Sequence, residues 1–182
     1  MIQKTLILDT NVYGELLIES KSQEIIKKIE DDNKIYLYGI DIIEKELEES
    51  PIDVKYKGKI LQEAILSIYN VLIDEELKLF PVAVYLAAEY YKKFDQLRKS
   101  GKYYNLISSK VKKYTEQDLK VDFQIIAVAS IKGVDIVVST DKRTILSGIS
   151  EDTYDIVNKE NGLKTPNLVK YSDFKKRYIN EK

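Results

Sequence analysis

Apolar positions along the chain follow two kinds of pattern, short unbroken runs and longer stretches with helical spacing. The short runs predict a buried strand at residues 4–8, strands at residues 35–38 and 135–139, and an edge strand at residues 168–170. Apolar residues at helical spacing predict helices at about residues 12–30, 41–49, 58–73, 82–99, 118–132 and 173–179. Strands that are separated by helices predict an α/β fold whose sheet is parallel and whose crossovers are right-handed.

Turn-forming and capping residues mark where several of these elements begin and end. Thr115 and Asp118 have the spacing of a capping box, with Asp in place of the usual Glu or Gln. Gly133 is typical of the residue that ends a helix. Residues 142–146 predict a short helical turn, and the polar residues 150–166, with an Asn-Gly pair and a proline, predict a loop.

The composition predicts a folded protein and restricts its chemistry. The chain has 182 residues, 44% apolar and 32% charged, which predicts one domain over residues 1–182 with a sizeable core. It contains no His and no Cys, so hydrolysis would have to depend on carboxylates and a hard metal ion. No apolar run approaches the ~20 residues that span a bilayer. With no signal peptide before Asp9, we expect a cytoplasmic protein without membrane contact.

Three acidic residues stand beside apolar segments in a way that suggests a site. Asp9 and Asp141 each follow a predicted strand, and the carboxyl edge of a parallel sheet is where open α/β folds bind ligands. Asp122 precedes an apolar helical run and shares a helix face with Ile125 and Ile126. Each acid also fits a structural role on its own, because Asp at a helix start or in a turn commonly acts as a cap.

In their order along the chain, these segments resemble the motifs of the PIN-domain nucleases, a family that includes the toxin ribonucleases of VapBC-type toxin–antitoxin pairs. The first motif is similar to residues 6–11, LILDTN, and the second to residues 42–47, IIEKEL. The third is similar to residues 122–129, DFQIIAVA, and the fourth to residues 137–141, VVSTD. Residues 167–174, NLVKYSDF, resemble the closing strand and helix of the family, so the resemblance spans nearly the whole chain.

The resemblance implies a three-layer α/β/α fold and a metal-dependent ribonuclease that hydrolyses RNA phosphodiester bonds. It implies that four acids converge at the carboxyl edge of the sheet and use one or two Mg²⁺ or Mn²⁺ ions: Asp9, Glu46, Asp122 and Asp141. The implied metal ligands are Asp9, Asp122 and Asp141, with Glu46 as a ligand or an outer acceptor. Four neighbours would orient the carboxylates or contact phosphate: Thr10, Asn11, Ser139 and Thr140. The implied partners are RNA, an antitoxin protein and a second copy of the chain.

Two departures from the family pattern affect what can be transferred. Glu46 precedes Leu47, as in the family, but Glu44 lies two residues away and would point to another side of the helix. We expect Glu46 to be the site acid, with Glu44 as the alternative. The region 51–115 is longer than in compact toxins and predicts a helical insertion.

A basic stretch within this insertion is a candidate RNA contact. Residues 92–113 carry eight basic residues against one acid, although the whole chain has a net charge of −1. The candidate phosphate contacts are Lys92, Lys93, Lys112 and Lys113. The alternative is a solvated helix face, which is the common explanation of a charge run.

Two other functions compete with the nuclease. A non-catalytic RNA- or protein-binding module on a PIN fold would predict an incomplete acid set, whereas here all four motifs carry an acid. An aspartyl-phosphate phosphatase with Asp9 as nucleophile usually needs a second acid two residues later, and Asn11 cannot donate a proton in that role. The phosphatase is therefore the weakest of the three.

Overall fold

The computed structural model of the chain describes residues 3–100, Tyr103 and residues 114–179. Its strands are β1 (Lys4–Leu8), β2 (Ile35–Ile40), β3 (Lys55–Tyr56), β4 (Lys59–Ile60), β5 (Glu75–Leu77), β6 (Ile136–Ser139) and β7 (Asn167–Lys170). Its helices are α1 (Thr10–Ile18), α2 (Ser22–Glu30), α3 (Asp41–Glu48), α4 (Leu61–Leu72), α5 (Pro81–Lys99), α6 (Glu116–Lys132), α7 (Gly148–Glu160) and α8 (Tyr171–Ile179). These elements divide between two compact units, each drawn from separate parts of the chain.

A five-stranded sheet in the order β5-β2-β1-β6-β7 organises the fold. Strand β1 pairs in parallel with β2 on one side and with β6 on the other. Leu6, Ile7 and Leu8 of β1 are all fully buried, which shows that both faces of this strand are covered. The expected parallel sheet flanked by helices is therefore confirmed.

The first unit comprises residues 1–78, 135–140 and 169–182. Its helices pack through apolar stripes, for example Ile65, Ile68 and Leu72 of α4, which lie at helical spacing and are buried. Strands β3 and β4 form a hairpin whose two-residue turn, Lys57-Gly58, has positive φ at both positions. That backbone is the one that short hairpins require, and glycine adopts it without strain.

The second unit comprises residues 79–134 and 141–168, and its core lies between α5, α6 and α7. Phe123 packs edge-to-face against Tyr90, Phe94 and Tyr154. A polar network crosses the same core, because the Tyr90 hydroxyl donates to Asn158 at 2.5 Å and the Asn158 amide donates to Ser130 at 3.0 Å. The capping box of Thr115 and the end of α6 at Gly133, φ 70°, agree with the sequence prediction.

The structure differs in several details from the predicted elements. The loop predicted at residues 150–166 is wrong, since most of it belongs to α7, which begins after the Ser147 cap. The helical stretch predicted at residues 12–30 forms two helices, α1 and α2, the second of which begins at Ser22, and residues 142–146 form a turn as expected. The hairpin β3–β4 and the short strand β5 were not predicted.

Candidate active site

Asp9 lies at the carboxyl end of β1, where the strand passes directly into α1. Its backbone N–H donates to the Val138 carbonyl at 2.9 Å, which continues the parallel ladder to the neighbouring strand β6. Asp9 is the N-cap residue of α1, yet its side chain makes no capping hydrogen bond to the described start of that helix. With 2% of its surface exposed, its carboxylate is buried without the structural role that the sequence allowed.

Neighbouring side chains hold the Asp9 carboxylate in place. The Ser139 hydroxyl donates to Asp9 Oδ2 at 2.8 Å, and the Asn11 amide approaches the same oxygen at 3.5 Å. Burial raises the pKa of Asp9 to about 6, against the lowering effect of these two hydrogen bonds and of a weaker one from the Thr10 backbone N–H, and with a further rise from Glu46. None of the ion pairs among the described residues involves Asp9.

Glu46 is the acid of α3 that lies beside Asp9. The Thr10 hydroxyl donates to Glu46 Oε2 at 2.5 Å, and the Glu46 charge raises the pKa of Asp9. Glu44 interacts instead with Glu76 of β5, and burial together with that neighbour raises the pKa of Glu44. Glu46 thus lies beside Asp9, whereas Glu44 faces Glu76. Thr10 holds Glu46 by its hydrogen bond, and Ser139 holds Asp9.

Asp122 and Asp141 belong to the second unit and share a neighbour there. Both acids raise the pKa of the fully buried Tyr154, after burial itself and with Asp122 the stronger of the two. Asp141 also caps the turn that follows it, because it accepts hydrogen bonds from the Thr144 N–H at 3.1 Å and the Thr144 hydroxyl at 2.6 Å. Thr140 lies between β6 and Asp141 and is half-buried.

The predicted lysines have different environments. Lys93 pairs with Glu160 at 3.1 Å, so its charge is already compensated, whereas Lys92 is exposed. The two lysines line a small polar cleft beside Asn161. Lys112 and Lys113 lie outside the described residues.

Two residues beside the acids were missed by the sequence analysis. Thr144 follows Asp141 at the spacing of a capped turn, and this Asp-x-x-Thr pattern was the available signal. Tyr13 is fully buried and follows Asp9 by four positions, which is one helical turn. This spacing was the signal in the sequence that the two residues lie on the same side of the helix.

A cleft in the first unit is distinct from these acids. It has a volume of about 620 Å³ and lies between the α1–α2 turn, the β3–β4 hairpin and α4. Its floor is apolar, with Leu17, Ile26 and Ile68, and its rim carries charged residues such as Lys57. None of the four predicted site acids lines it.

The Asp9 carboxylate offers an oxygen ligand of the type that divalent metal ions bind. A buried carboxylate is costly unless a positive charge or hydrogen bonds compensate it, and here only hydrogen bonds are found among the described residues. Carboxylate and hydroxyl oxygens are the ligand types that Mg²⁺ prefers. Among the described residues, no three acidic side chains lie close enough together to hold a metal ion.

Comparisons with known proteins show the fold. No protein-family model and no curated protein matches the chain. The chain is similar to one in the crystal structure of VapBC2 from Rickettsia felis bound to a DNA fragment from their promoter, with TM-score 0.52, 13% identity, and coverage of 91% of this chain and 98% of that one. A chain in the structure of FitAB bound to an IR36 DNA fragment has TM-score 0.51, 17% identity, and coverage of 91% and 94%. The expected three-layer α/β/α, PIN-like fold is therefore confirmed.

Proposed function

We propose that the chain is a metal-dependent endoribonuclease that hydrolyses RNA phosphodiester bonds and is built around the Asp9 carboxylate. The observation that carries this proposal is the burial of Asp9 at the carboxyl end of the central strand, with its pKa raised to about 6 and without an ion-pair partner among the described residues. The fold and the order of the acidic motifs support the same function.

Asp9 would hold Mg²⁺ or Mn²⁺, and Asp122 and Asp141 are the further ligands that the motif resemblance predicts. When bound, such an ion activates water and neutralises charge on the phosphate, which removes the need for a histidine. Ser139 fixes one oxygen of Asp9, so the other oxygen is presented in a constant direction. The Thr10 hydroxyl holds Glu46 in the same way, so that Glu46 would act as an acceptor beside Asp9.

The partners follow from the same resemblance. Both structural neighbours come from complexes bound to DNA, and the motifs resemble those of VapBC-type toxins. We therefore propose RNA as the substrate and a protein of the antitoxin type as a regulator, with a homodimer as the oligomeric form and the cytoplasm as the location. No helix in the described part of the chain is long and apolar enough to cross a membrane.

A non-catalytic binding module on the same fold is the second candidate. The observation that favours it is that no three acidic side chains in the described ranges are arranged to hold a metal ion. This candidate predicts that the protein binds RNA or a protein and that neither Mg²⁺ nor Mn²⁺ changes the binding.

Cleavage of a fluorogenic single-stranded RNA tests the proposal. We expect cleavage in Mg²⁺ or Mn²⁺ that EDTA abolishes, and we expect Asp9→Asn and Asp122→Asn to lose it by at least about 100-fold. The helix α3 supplies a matched pair, since Glu46→Gln should reduce cleavage and Glu44→Gln should not. Cleavage that survives both Asp substitutions would refute the site, and a wild type that neither cleaves RNA nor binds metal would favour the binding module.

A further inference from the structure

A basic hairpin, β3–β4, forms one wall of the cleft in the first unit. Its three lysines, Lys55, Lys57 and Lys59, are exposed, and none of the ion pairs among the described residues involves them. Residues 54–62 contain these lysines and no acid, although the whole chain has a net charge of −1. Positive charge is therefore concentrated beside a concave surface.

The backbone of the hairpin determines which of its side chains meet the cleft. Tyr56 and Lys59 are paired across the two strands, and residues paired in this way project from the same face. Both line the cleft together with Lys57 of the turn, whereas Lys55 is not a lining residue. The positive φ of Lys57, 49°, and of Gly58, 83°, is the backbone of a tight turn, which holds Lys57 at the tip.

The acids that line the cleft already have cationic partners. Glu19 pairs with Lys175 at 2.5 Å. Glu24 pairs with Lys28 at 3.1 Å and with Lys21 at 3.7 Å. The two lining lysines of the hairpin have no such partner among the described residues, so a molecule in the cleft meets positive charge on this wall. A cleft with an excess of one charge favours a ligand of the opposite charge, which here is an anion.

The floor of the cleft is apolar and adds a second requirement for the ligand. Leu17, Ile26 and Ile68 form this floor, and the cleft has a volume of about 620 Å³, which lies in the range of sites for small organic groups. The ring of Tyr56 borders the same space, with Lys57 Nζ 5.0 Å from the ring centre. The ligand therefore combines negative charge with a flat or apolar group.

We propose that this cleft binds the substrate RNA as a single strand, with phosphates on Lys57 and Lys59 and an unstacked base beside Tyr56 and the apolar floor. This inference rests on the proposed ribonuclease function, because it names where the substrate strand is held. Proteins that bind single-stranded nucleic acid combine a positively charged groove with aromatic side chains, and the hairpin supplies both. None of the four predicted site acids lines the cleft, so the contact is to RNA beyond the scissile bond.

An acidic peptide is the alternative occupant of this cleft. Its carboxylates would use the two lysines, but it brings no planar base to stack on an aromatic ring. The position of Tyr56 between Lys57 and the paired Lys59 therefore favours RNA.

Fluorescence anisotropy with a labelled oligouridine in EDTA measures this binding without cleavage. Each phosphate contact to a single strand contributes about 0.7 to the slope of log affinity against log salt concentration, so replacing both Lys57 and Lys59 with Gln should reduce the slope by about 1.4. Tyr56→Leu should bind the RNA about fivefold or more weakly, and Tyr56→Phe, which keeps the ring, should bind it like the wild type.

Lys34→Gln is the matched control, because Lys34 is exposed and belongs to the first unit but does not line the cleft. It should change neither the affinity nor the salt slope. An unchanged slope in the double lysine variant, or an equal loss in Lys34→Gln, would overturn the inference. It would also be overturned if the wild type bound no oligouridine, or if it bound an acidic peptide that oligouridine does not displace.

Separate cleavage assays in Mg²⁺ or Mn²⁺ distinguish a failure of this inference from a failure of the proposed function. RNA that binds through the hairpin lysines but is never cleaved would support the binding site and contradict the catalytic function. Metal-dependent cleavage by a protein whose salt slope does not depend on these lysines would support the nuclease and overturn the binding site.

Discussion

Replacing Asp9 with Asn should stabilise the metal-free protein at neutral pH. Burial raises the pKa of Asp9 from 3.8 to about 6, so the folded state holds a proton that the unfolded state has already released between these two values. Stability therefore falls as the pH rises through this window, and the full penalty applies above about pH 6. The amide of Asn carries no charge, so the variant escapes the penalty, and its oxygen can still accept from Ser139.

The size of the effect follows from the pKa difference. A change of one pKa unit corresponds to about 1.4 kcal/mol, and the rise from 3.8 to about 6 is about two units. The ionised Asp9 thus lowers the free energy of unfolding by about 3 kcal/mol at pH 7.5 and by only about 0.5 kcal/mol at pH 4. The side chain is nearly fully buried, so solvent screening reduces this value little.

Urea unfolding followed by far-UV circular dichroism in EDTA measures this difference at both pH values. We expect the free energy of unfolding of Asp9→Asn to exceed that of the wild type by up to about 3 kcal/mol at pH 7.5 and by only about 0.5 kcal/mol at pH 4. Asp118→Asn is a control in which the opposite change in stability is expected, because the Thr115 backbone N–H lowers the pKa of Asp118. That variant should lose stability at pH 7.5. Saturating Mn²⁺ should favour the wild type by mass action.

The reasoning is refuted by either of two results. If Asp9→Asn is less stable than the wild type by the same amount at both pH values, the carboxylate has a structural role that does not depend on its charge. If the two proteins are equally stable at pH 7.5, the pKa of Asp9 is not raised in the folded state. Direct titration of the Asp9 carboxyl carbon by NMR would then give its actual value.

Four further substitutions probe packing and capping, each measured as a shift of the urea midpoint. Gly39→Ala should destabilise by about 2 kcal/mol or more, because the new Cβ would stand 2.2 Å from the Tyr69 hydroxyl oxygen. Gly14→Ala, with no atom within 4 Å of its added Cβ, should instead stabilise α1 by about 0.5–1 kcal/mol, and a loss would contradict this. Asn158→Ala should cost about 3 kcal/mol, since it leaves buried polar partners unsatisfied; a cost below 1 kcal/mol would argue against the network. Thr115→Ala should cost about 1 kcal/mol by removing the capping box, and no change would show that the cap is dispensable.

The sequence predicted those elements whose signals are local. Strand β1 is a continuous apolar run, and the cap and the final glycine of α6 stand at fixed spacing, so both elements were placed to within a few residues. Helix α7 was missed because part of its buried face is polar: Ser150, Thr153 and Asn158 are buried there. Asn158 is satisfied by residues of α5 and α6, far from it in the chain, and a local pattern cannot show this.

In the candidate site, too, local features could be predicted from the sequence, whereas contacts between distant parts of the chain could not. The position of Asp9 after a strand could be read from the sequence, but the bond from Ser139 depends on residues 130 positions apart. The different surroundings of Glu46 and Glu44 could not be predicted from the sequence, because Thr10 donates to Glu46 whereas Glu44 lies against Glu76. The assignment of the four acids to catalysis stays a prediction.

The pairing of β1 with both β2 and β6 has a consequence for biosynthesis. Strand β2 follows β1 after about 30 residues, whereas β6 pairs Leu6 with Ile136. At ribosomal speeds of about 5–20 residues per second, one edge of β1 has no partner for on the order of ten seconds. During that time an apolar strand with an open edge can associate with other chains, so a chaperone would raise the yield of folded protein. The hydrogen bond from Ser139 to Asp9 can form only after β6 has been synthesised and has paired with β1, so the Asp9 carboxylate lacks this donor until late in synthesis.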